Sequence, residues 1–245
     1  MSSGRAPNLK IERGMLDAGS VAVAGCDEVG RGSLGGPVSV GMVVVNASTR
    51  RPPTGLRDSK LLAPASRERL VPRIQSWSCC WAIGHASAAE IDAVGILRAL
   101  RLAGERALAG LEIRPDIVLL DGNYDWFTRP DKSAGSPAEI EPERVNLKVK
   151  ADLSCASVAA ASVLAKVARD RLMVELAALY PCYGWQSNKG YAAPEHRAAL
   201  VEIGPCEEHR RSWNLLVSEE QVALEDPELG PDGGSRLKSR TSLGG

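Results

Sequence analysis

Gly25-Cys26-Asp27-Glu28-Val29-Gly30-Arg31-Gly32-Ser33-Leu34-Gly35-Gly36-Pro37 sets two adjacent carboxylates where an apolar run, residues 21–25, gives way to glycine-rich backbone. Carboxylates at the end of a buried strand are costly unless paired or bound to a cation, so Asp27 and Glu28 point to a hard-metal site. The glycines that follow let backbone N–H groups come close to an anion. Arg31 is the side chain there able to grip a phosphate in two places. Metal and phosphate on one loop indicate phosphodiester chemistry.

Working outward, residues 21–25 and the β-branched run 38–45 read as strands, with Gly35-Gly36-Pro37 as the turn between them. Residues 63–77 read as a helix with Arg67, Glu68 and Arg69 on its solvated side, and Pro72 is expected to bend or interrupt it. Residues 79–86 make a third strand, completing a meander. Residues 88–111 carry Ile91, Val94, Leu97 and Leu100 at helical spacing and predict one long helix. Ile117-Val118-Leu119-Leu120 is a short strand buried on both faces, which leaves Asp121 at its C-terminal end. Residues 129–144, with three prolines, predict an exposed loop. Residues 145–150 alternate as a strand, and residues 153–179 form the longest helix. Strands interleaved with helices place the chain in the α/β class.

At 245 residues and 44% hydrophobic content the chain can bury a sizeable core. A flexible N-terminus is expected over residues 1–19, one domain over 20–218, and a largely disordered tail over 219–245, where Gly, Ser, Pro and charges bury too little apolar surface to offset ordering. The formal net charge is zero, so a nucleic-acid partner has to be held by a local basic patch. Six cysteines without a Cys-x-x-Cys pair and three scattered histidines argue against structural zinc. Neither a signal-type N-terminus nor a membrane-length apolar run is present, so reduced thiols and a cytoplasmic setting are expected. No obligate protein partner is indicated, and a monomer is expected.

Gly30-Arg31-Gly32-Ser33-Leu34-Gly35 has the spacing of a dinucleotide-binding fingerprint but not its context. That motif needs a helix to open at the third glycine and an acid about twenty residues on, whereas here Gly36-Pro37 leads into a strand. Taken alone, Asp27 and Glu28 are as compatible with a solvated turn or a helix cap as with a metal site. Asp121 and Asp152 also stand at or just past strand ends, which gather at one edge of an open sheet, and four carboxylates there can bind two Mg²⁺ ions. Spacing leaves both readings open. Asp170 reads as a surface charge paired with Lys166. Lys148, Lys150, Lys189, His196, His209, Arg210 and Arg211 are ordinary surface charges taken singly. Interleaved with Tyr183, Trp185, Tyr191 and Trp213, they suit a groove that follows a nucleic-acid backbone.

Across residues 20–217 the chain resembles the ribonuclease HII family, type 2 ribonuclease H of bacteria. The resemblance rests on Asp27-Glu28-Val29-Gly30-Arg31-Gly32, Asp58-Ser59-Lys60-Leu61, Leu120-Asp121-Gly122-Asn123 and Lys150-Ala151-Asp152 with residues 159–170. It continues through Tyr183-Gly184-Trp185, Asn188-Lys189-Gly190-Tyr191, Glu195-His196 and His209-Arg210-Arg211-Ser212-Trp213, in the family's order. The resemblance implies a ribonuclease H-like fold: a mixed five-stranded sheet flanked by helices, with a helical C-terminal part. It implies endonucleolytic cutting of RNA in RNA–DNA hybrids and nicking 5′ to single ribonucleotides in duplex DNA. Products carry 3′-hydroxyl and 5′-phosphate ends, and the cofactor is Mg²⁺ or Mn²⁺ in a two-metal site. By the same resemblance Asp27, Glu28, Asp121 and Asp152 are the catalytic, metal-binding acids. Gly30, Arg31 and Gly32 sense the ribose 2′-hydroxyl and its phosphate, Tyr191 stacks on the following sugar, and Lys60, Lys189 and His196 join the substrate contacts. Two departures stand out: Ala151 replaces a frequent glycine, and the 129–144 segment is longer than in many relatives. The alternatives are a hybrid-binding protein that has lost catalysis, and the sister type of ribonuclease H acting on longer RNA tracts, which brings an extra N-terminal domain.

Overall fold

Five strands, β1 (Ala22–Val29), β2 (Val38–Asn46), β3 (Cys80–Ala86), β4 (Ile117–Asp121) and β5 (Arg144–Lys148), lie in the order β3-β2-β1-β4-β5 in the computed structural model, which describes residues 6–128 and 144–215. The meander β1-β2-β3 is antiparallel, and β4 and β5 run parallel to β1. The expected mixed five-stranded sheet is present. The C-terminal ends of β1, β4 and β5 lie along one edge, because Cys26 stands opposite Leu120 and Asp121 opposite Lys148.

Side chains alternate across a strand, so the sheet has two cores. Ala22, Ala24 and Cys26 of β1 and Val38, Val40, Met42 and Val44 of β2 pack with helix α4 (Ile96–Ala109) and Phe127. Val23, Val43, Val45 and Leu119 face helix α5 (Ala156–Leu179), joined by α1 (Lys10–Asp17) and α2 (Pro64–Trp77). The first half of α5 is rich in alanine, which lets its backbone lie almost on the sheet. A Cβ added at Gly25 would come within 2.2 Å of the Ser157 carbonyl carbon, so the crossing needs glycine there. A third cluster joins the end of α5 to α6 (Trp185–Asn188) and α7 (Pro194–Ile203) around Met173, Tyr183, Trp185 and Leu200. This is the helical C-terminal part. No helix among the described residues is long and apolar enough to cross a membrane.

Several boundaries differ from expectation for identifiable reasons. Strand β1 runs on to Val29, so Asp27 and Glu28 lie within it rather than beyond its end. The expected helix over 88–111 breaks at Gly95 (φ +78°) into α3 (Ala88–Val94), opened by a Ser87/Glu90 capping box, and α4. The strand expected to reach residue 150 stops at Lys148. Lys150 is left-handed (φ 56°), and a 3₁₀ turn over Ala151–Leu153 precedes α5. Pro72 stands on the exposed side of an uninterrupted α2. The 129–143 stretch, the 219–245 tail and residues 1–5 lie outside the described residues.

Within the N-terminal stretch expected over residues 1–19, residues 10–17 form α1. Glu12 is its anchor: fully buried, its Oε1 accepts from the Ser157 N–H at 2.9 Å and the Ser157 hydroxyl at 2.8 Å. A carboxyl from another helix thereby caps the first turn of α5. Burial raises its pKa above the ordinary range, and Oε2 has no hydrogen-bond partner among the described residues. Asn8 adds backbone bonds to Ser154 and Ala156, so the N-terminal segment secures the turn that carries Asp152. Glu12→Ala is expected to lower stability by about 1–2 kcal/mol, the usual scale of a lost cap. Glu12→Gln retains the acceptor and is expected to melt close to the wild type. Thermal unfolding of both variants checks this.

Candidate active site

Asp27 shares the face of β1 that carries Val23 and Gly25, under α5, while Glu28 leaves the strand on the opposite face. Asp27 is buried. Its Oδ1 accepts from the Glu28 N–H at 2.9 Å, and its carboxyl is bonded to Ser162 of α5. Ser162 is held in turn by the Ser59 hydroxyl at 2.7 Å. Asp121 ends β4 beside it and accepts from the Ala151 N–H at 2.6 Å, which fixes the turn bearing the buried Asp152. The strand edge, α5 and that turn thus bring together three acids far apart in sequence, and Glu28 approaches from the other side.

The field among these acids is strongly negative. Burial, and then the neighbouring Glu28 charge, push the Asp27 carboxyl well above the ordinary aspartate value, with Asp121 and Asp152 adding to it. Burial and Asp121 push Asp152 up to about 6. Glu28 is raised by burial; Arg31, at 3.8 Å, opposes this and Asp121 adds to it. Lys60 borders the group: burial works against its charge, but Asp58, Asp27, Asp152 and Asp121 together raise its pKa. The Asp58 side chain caps the 3₁₀ turn that presents Lys60. Among the described residues no three His, Cys, Asp or Glu side chains already stand in a metal-holding cluster. The donor set is nonetheless that of a hard divalent cation, four carboxylates whose mutual repulsion such an ion would relieve.

These shifts carry a sign for stability. A carboxyl whose folded pKa lies above its unfolded value keeps its proton in the folded chain after the unfolded chain has released it, so it costs stability as pH rises between the two. For Asp152 that window runs from the ordinary 3.8 up to about 6. In chelator, Asp152→Asn is therefore expected to gain stability over the wild type as pH is raised from about 4 to about 7. Melting both proteins across that range checks it; a difference independent of pH would contradict the electrostatics described.

Beyond β1 the 30–37 loop is held from inside by two fully buried arginines. Arg169 of α5 donates to the Pro37 carbonyl (2.8 Å), the Lys189 carbonyl (2.9 Å), the Ser33 hydroxyl (2.8 Å) and the Gly35 carbonyl (3.2 Å). Arg210 donates to the carbonyls of Arg31 (2.7 Å), Gly30 (2.6 Å) and Gly36 (3.2 Å). With these carbonyls turned inward, Arg31 and Gly32 stay exposed. Gly30 has φ +85°, and a Cβ there would meet Arg169 Nε at 2.1 Å. Gly190 accepts from the N–H groups of Leu34 and Gly35, which brings the 188–191 turn beside this loop. The half-buried Tyr191 ring lies 5.3 Å from the Arg169 guanidinium and 5.7 Å from Lys166 Nζ. Such a surface offers ring, backbone amides and cation to a sugar-phosphate chain.

The basic groove read from the sequence is partly corrected. His196, His209, Arg210, Tyr183 and Trp185 are buried in the C-terminal cluster, so they are not surface contacts, and His196 has no exposed face with which to touch substrate. Arg210 stacks on Trp213 at 4.8 Å. Lys189 is half-buried and left-handed (φ 51°), its carbonyl taken by Arg169 and its Nζ donating to the Gln186 carbonyl. Lys150 and Arg211 are exposed and Lys148 is half-buried. Asp170 pairs with Lys166 at 2.6 Å, as expected. Sequence reasoning missed the holding roles of Arg169, Arg210 and Ser162. Nothing in their spacing separates a buried guanidinium from a surface charge.

A family model described as Ribonuclease HII matches residues 24–216. The ribonuclease HII of Streptomyces coelicolor is 46% identical over 211 residues, 86% of this chain and 84% of that protein. That of Paracoccus denitrificans is 44% identical over 218 residues, 87% of this chain and 97% of that one. Among solved structures, the ribonuclease H2 from Pyrococcus horikoshii has the same fold, with TM-score 0.61, 24% identity, and coverage of 84% of this chain and 98% of that one. The structure of the PCNA:RNase HII complex from Archaeoglobus fulgidus matches with TM-score 0.60, 27% identity and coverage of 82% and 100%. Bst-RNase HIII in complex with Mn²⁺ matches with TM-score 0.60, 20% identity and coverage of 88% and 73%.

Proposed function

The chain belongs to the ribonuclease HII family and is a ribonuclease H acting on RNA–DNA hybrids, and from that premise we propose that it also nicks duplex DNA on the 5′ side of a single embedded ribonucleotide. The observation that carries the reading is the acid quartet Asp27, Glu28, Asp121 and Asp152. Its carboxyl pKa values, raised by burial and mutual repulsion at Asp27 and Asp152, call for a cation. The four acids would hold Mg²⁺ or Mn²⁺ at two positions, and the solved Mn²⁺ complex of the RNase HIII relative supports that choice of ion. Bound there, such ions supply a water of lowered pKa and neutralise charge on the scissile phosphate.

The protein's own contribution is positioning. Ser162 and the Glu28 N–H hold the Asp27 carboxylate in one orientation, and the Asp121 carboxylate holds the Asp152 turn through the Ala151 N–H. Lys60 sits beside the acids as a fixed cation and would meet the phosphate backbone, as would Lys189. The exposed backbone at Gly30, Arg31 and Gly32 would read the 2′-hydroxyl, the group that separates RNA from DNA. Arg31 would take the adjoining phosphate. Tyr191 would stack on the sugar that follows, so a deoxyribose there favours cutting at the junction. No protein nucleophile is required, and the ends expected are 3′-hydroxyl and 5′-phosphate.

An end-labelled DNA duplex carrying one ribonucleotide tests this, incubated with Mg²⁺ or with chelator beside an all-DNA control. One Mg²⁺-dependent nick 5′ to the ribonucleotide is expected. Cleavage of a long hybrid without that nick would contradict the junction reading.

A further inference from the structure

We propose that His196 and His209 form a one-directional hydrogen-bond relay that holds the backbone of Tyr191, making both histidines positioning residues for the ribose-to-deoxyribose junction. The proposal rests on the reading of Tyr191 given above. His196 Nδ1 lies 2.8 Å from the Tyr191 carbonyl oxygen, which can only accept, so Nδ1 carries a proton. On the far side of that ring, Nε2 faces the Trp185 indole N–H at 3.0 Å. An indole only donates, so Nε2 is bare and His196 is neutral. His209 Nε2 lies 2.9 Å from the same atom, and two bare nitrogens do not face each other at that distance, so His209 donates from Nε2. Its Nδ1 is then the acceptor for the Cys206 N–H at 3.1 Å and the Cys206 thiol at 3.2 Å. The single lone pair of His196 Nε2 is shared between the indole N–H and the His209 N–H, and that of His209 Nδ1 between the two Cys206 groups, so the protons are ordered in one direction, from Cys206 through His209 and His196 to Tyr191. Both rings are fully buried, and burial lowers both pKa values, His209 to about 4, so the neutral state persists at ordinary pH.

The two ends of the relay lie at the two segments that would meet the sugar. Glu208 and Arg210, which flank His209, bond the glycine loop: Gly36 N–H donates to the Glu208 carbonyl at 2.8 Å and Arg210 N–H to the Leu34 carbonyl at 3.0 Å. At the other end the Tyr191 carbonyl also accepts from the Ala193 N–H at 2.8 Å, which leaves His196 as the contact that comes from the helical part rather than from the same turn. Rotation of Tyr191 away from the 30–37 loop therefore requires breaking a bond braced by three buried side chains, His196, His209 and Trp185, and the half-buried Cys206.

Two replacements of similar size separate this role from simple packing. The amide nitrogen of asparagine lies where histidine Nδ1 lies, and the terminal group of glutamine lies where Nε2 lies. His196→Asn keeps the donor to Tyr191, and His196→Gln loses it while retaining a partner for Trp185 and His209. The readout is the ratio of turnover on the single-ribonucleotide duplex to turnover on a long RNA–DNA hybrid, with Tyr191→Ala as reference. The expected result is a ratio lowered about 5- to 10-fold in Tyr191→Ala and His196→Gln, the scale of one hydrogen bond, with His196→Asn keeping the wild-type ratio. Equal ratios in the two His196 variants, with Tyr191→Ala lowered, would overturn the relay. An unchanged ratio in Tyr191→Ala would overturn the reading of Tyr191 and the proposal with it. In the unmodified protein ¹⁵N NMR of the rings is expected to show the Nδ1–H tautomer for His196 and the Nε2–H tautomer for His209. The opposite tautomers would overturn the relay independently of any variant.

Discussion

Asp27→Asn is expected to lose hybrid cleavage by at least about 10³-fold while melting higher than the wild type in chelator. The two effects have one cause. Asp27 is buried under α5, and burial together with the Glu28 charge holds its carboxyl well above the usual range, so the ionised form is a strain on the folded chain. Asparagine is isosteric, and its amide oxygen can accept from the Glu28 N–H as the carboxylate Oδ1 does. The charge that a metal would use is lost, and the buried repulsion with it. Relief of one buried charge is worth roughly 1–3 kcal/mol, and each kcal/mol moves the midpoint by about 2–4 °C in a domain of this size. Hybrid cleavage and differential scanning calorimetry in chelator read the two halves together. An active variant, or one that melts lower than the wild type, would contradict the site as described.

The largest loss of stability is expected from Arg169→Met. The Arg169 guanidinium is buried and supplies the donors for the carbonyls of Pro37, Lys189 and Gly35 and for the Ser33 hydroxyl. Methionine fills most of the volume and satisfies none of these acceptors. Each unpaired buried acceptor costs about 1–3 kcal/mol, so the sum exceeds about 4 kcal/mol even after partial relaxation. The midpoint is expected to fall by more than about 8 °C. Since the same guanidinium ties the 30–37 loop to the 188–191 turn, the folded fraction is also expected to lose its preference for RNA-containing substrate. Arg169→Lys, which places one nitrogen where the guanidinium spreads three over four acceptors, is expected to recover only part of the stability. A variant that melts with the wild type would show that the loop is held by other contacts.

The sheet was legible in the sequence because its strands are apolar runs bounded by glycine, proline and acids, and their periodicity is local. The acids were legible as well, since carboxylates abutting strand ends carry a desolvation cost visible in one dimension. Their relative faces were not. The extension of β1 to Val29 sets Asp27 and Glu28 on opposite sides of the sheet, a consequence of register with Ser39, Val40 and Gly41 on β2. Glycine at Gly95 split a helix whose hydrophobic spacing is continuous through it. The N-terminal helix escaped because it is only eight residues long: Ile11, Met15 and Leu16 stand at helical spacing, but too few of them recur to mark a helix, and the residue that anchors Glu12, Ser157, lies 145 residues away. The buried cations were misread for a similar reason. Arg210, His196 and His209 look like surface charge in a list of residues, and nothing there sets Arg169 apart from Lys166 and Arg171. Arg169 and Arg210 are buried because the turns over 30–37 and 188–191 aim carbonyls at their guanidinium groups, an arrangement that appears only once these segments are folded together.

The central claim is that the edge formed by β1, β4 and the Asp152 turn is a divalent-cation site, and calorimetric titration of Mn²⁺ into the wild type and into Asp27→Asn and Asp121→Asn tests it most directly. Saturable binding by the wild type, lost or weakened by at least about tenfold in either variant, is the predicted result. Equal binding by all three proteins would contradict the claim, because the ion would then be held by other residues.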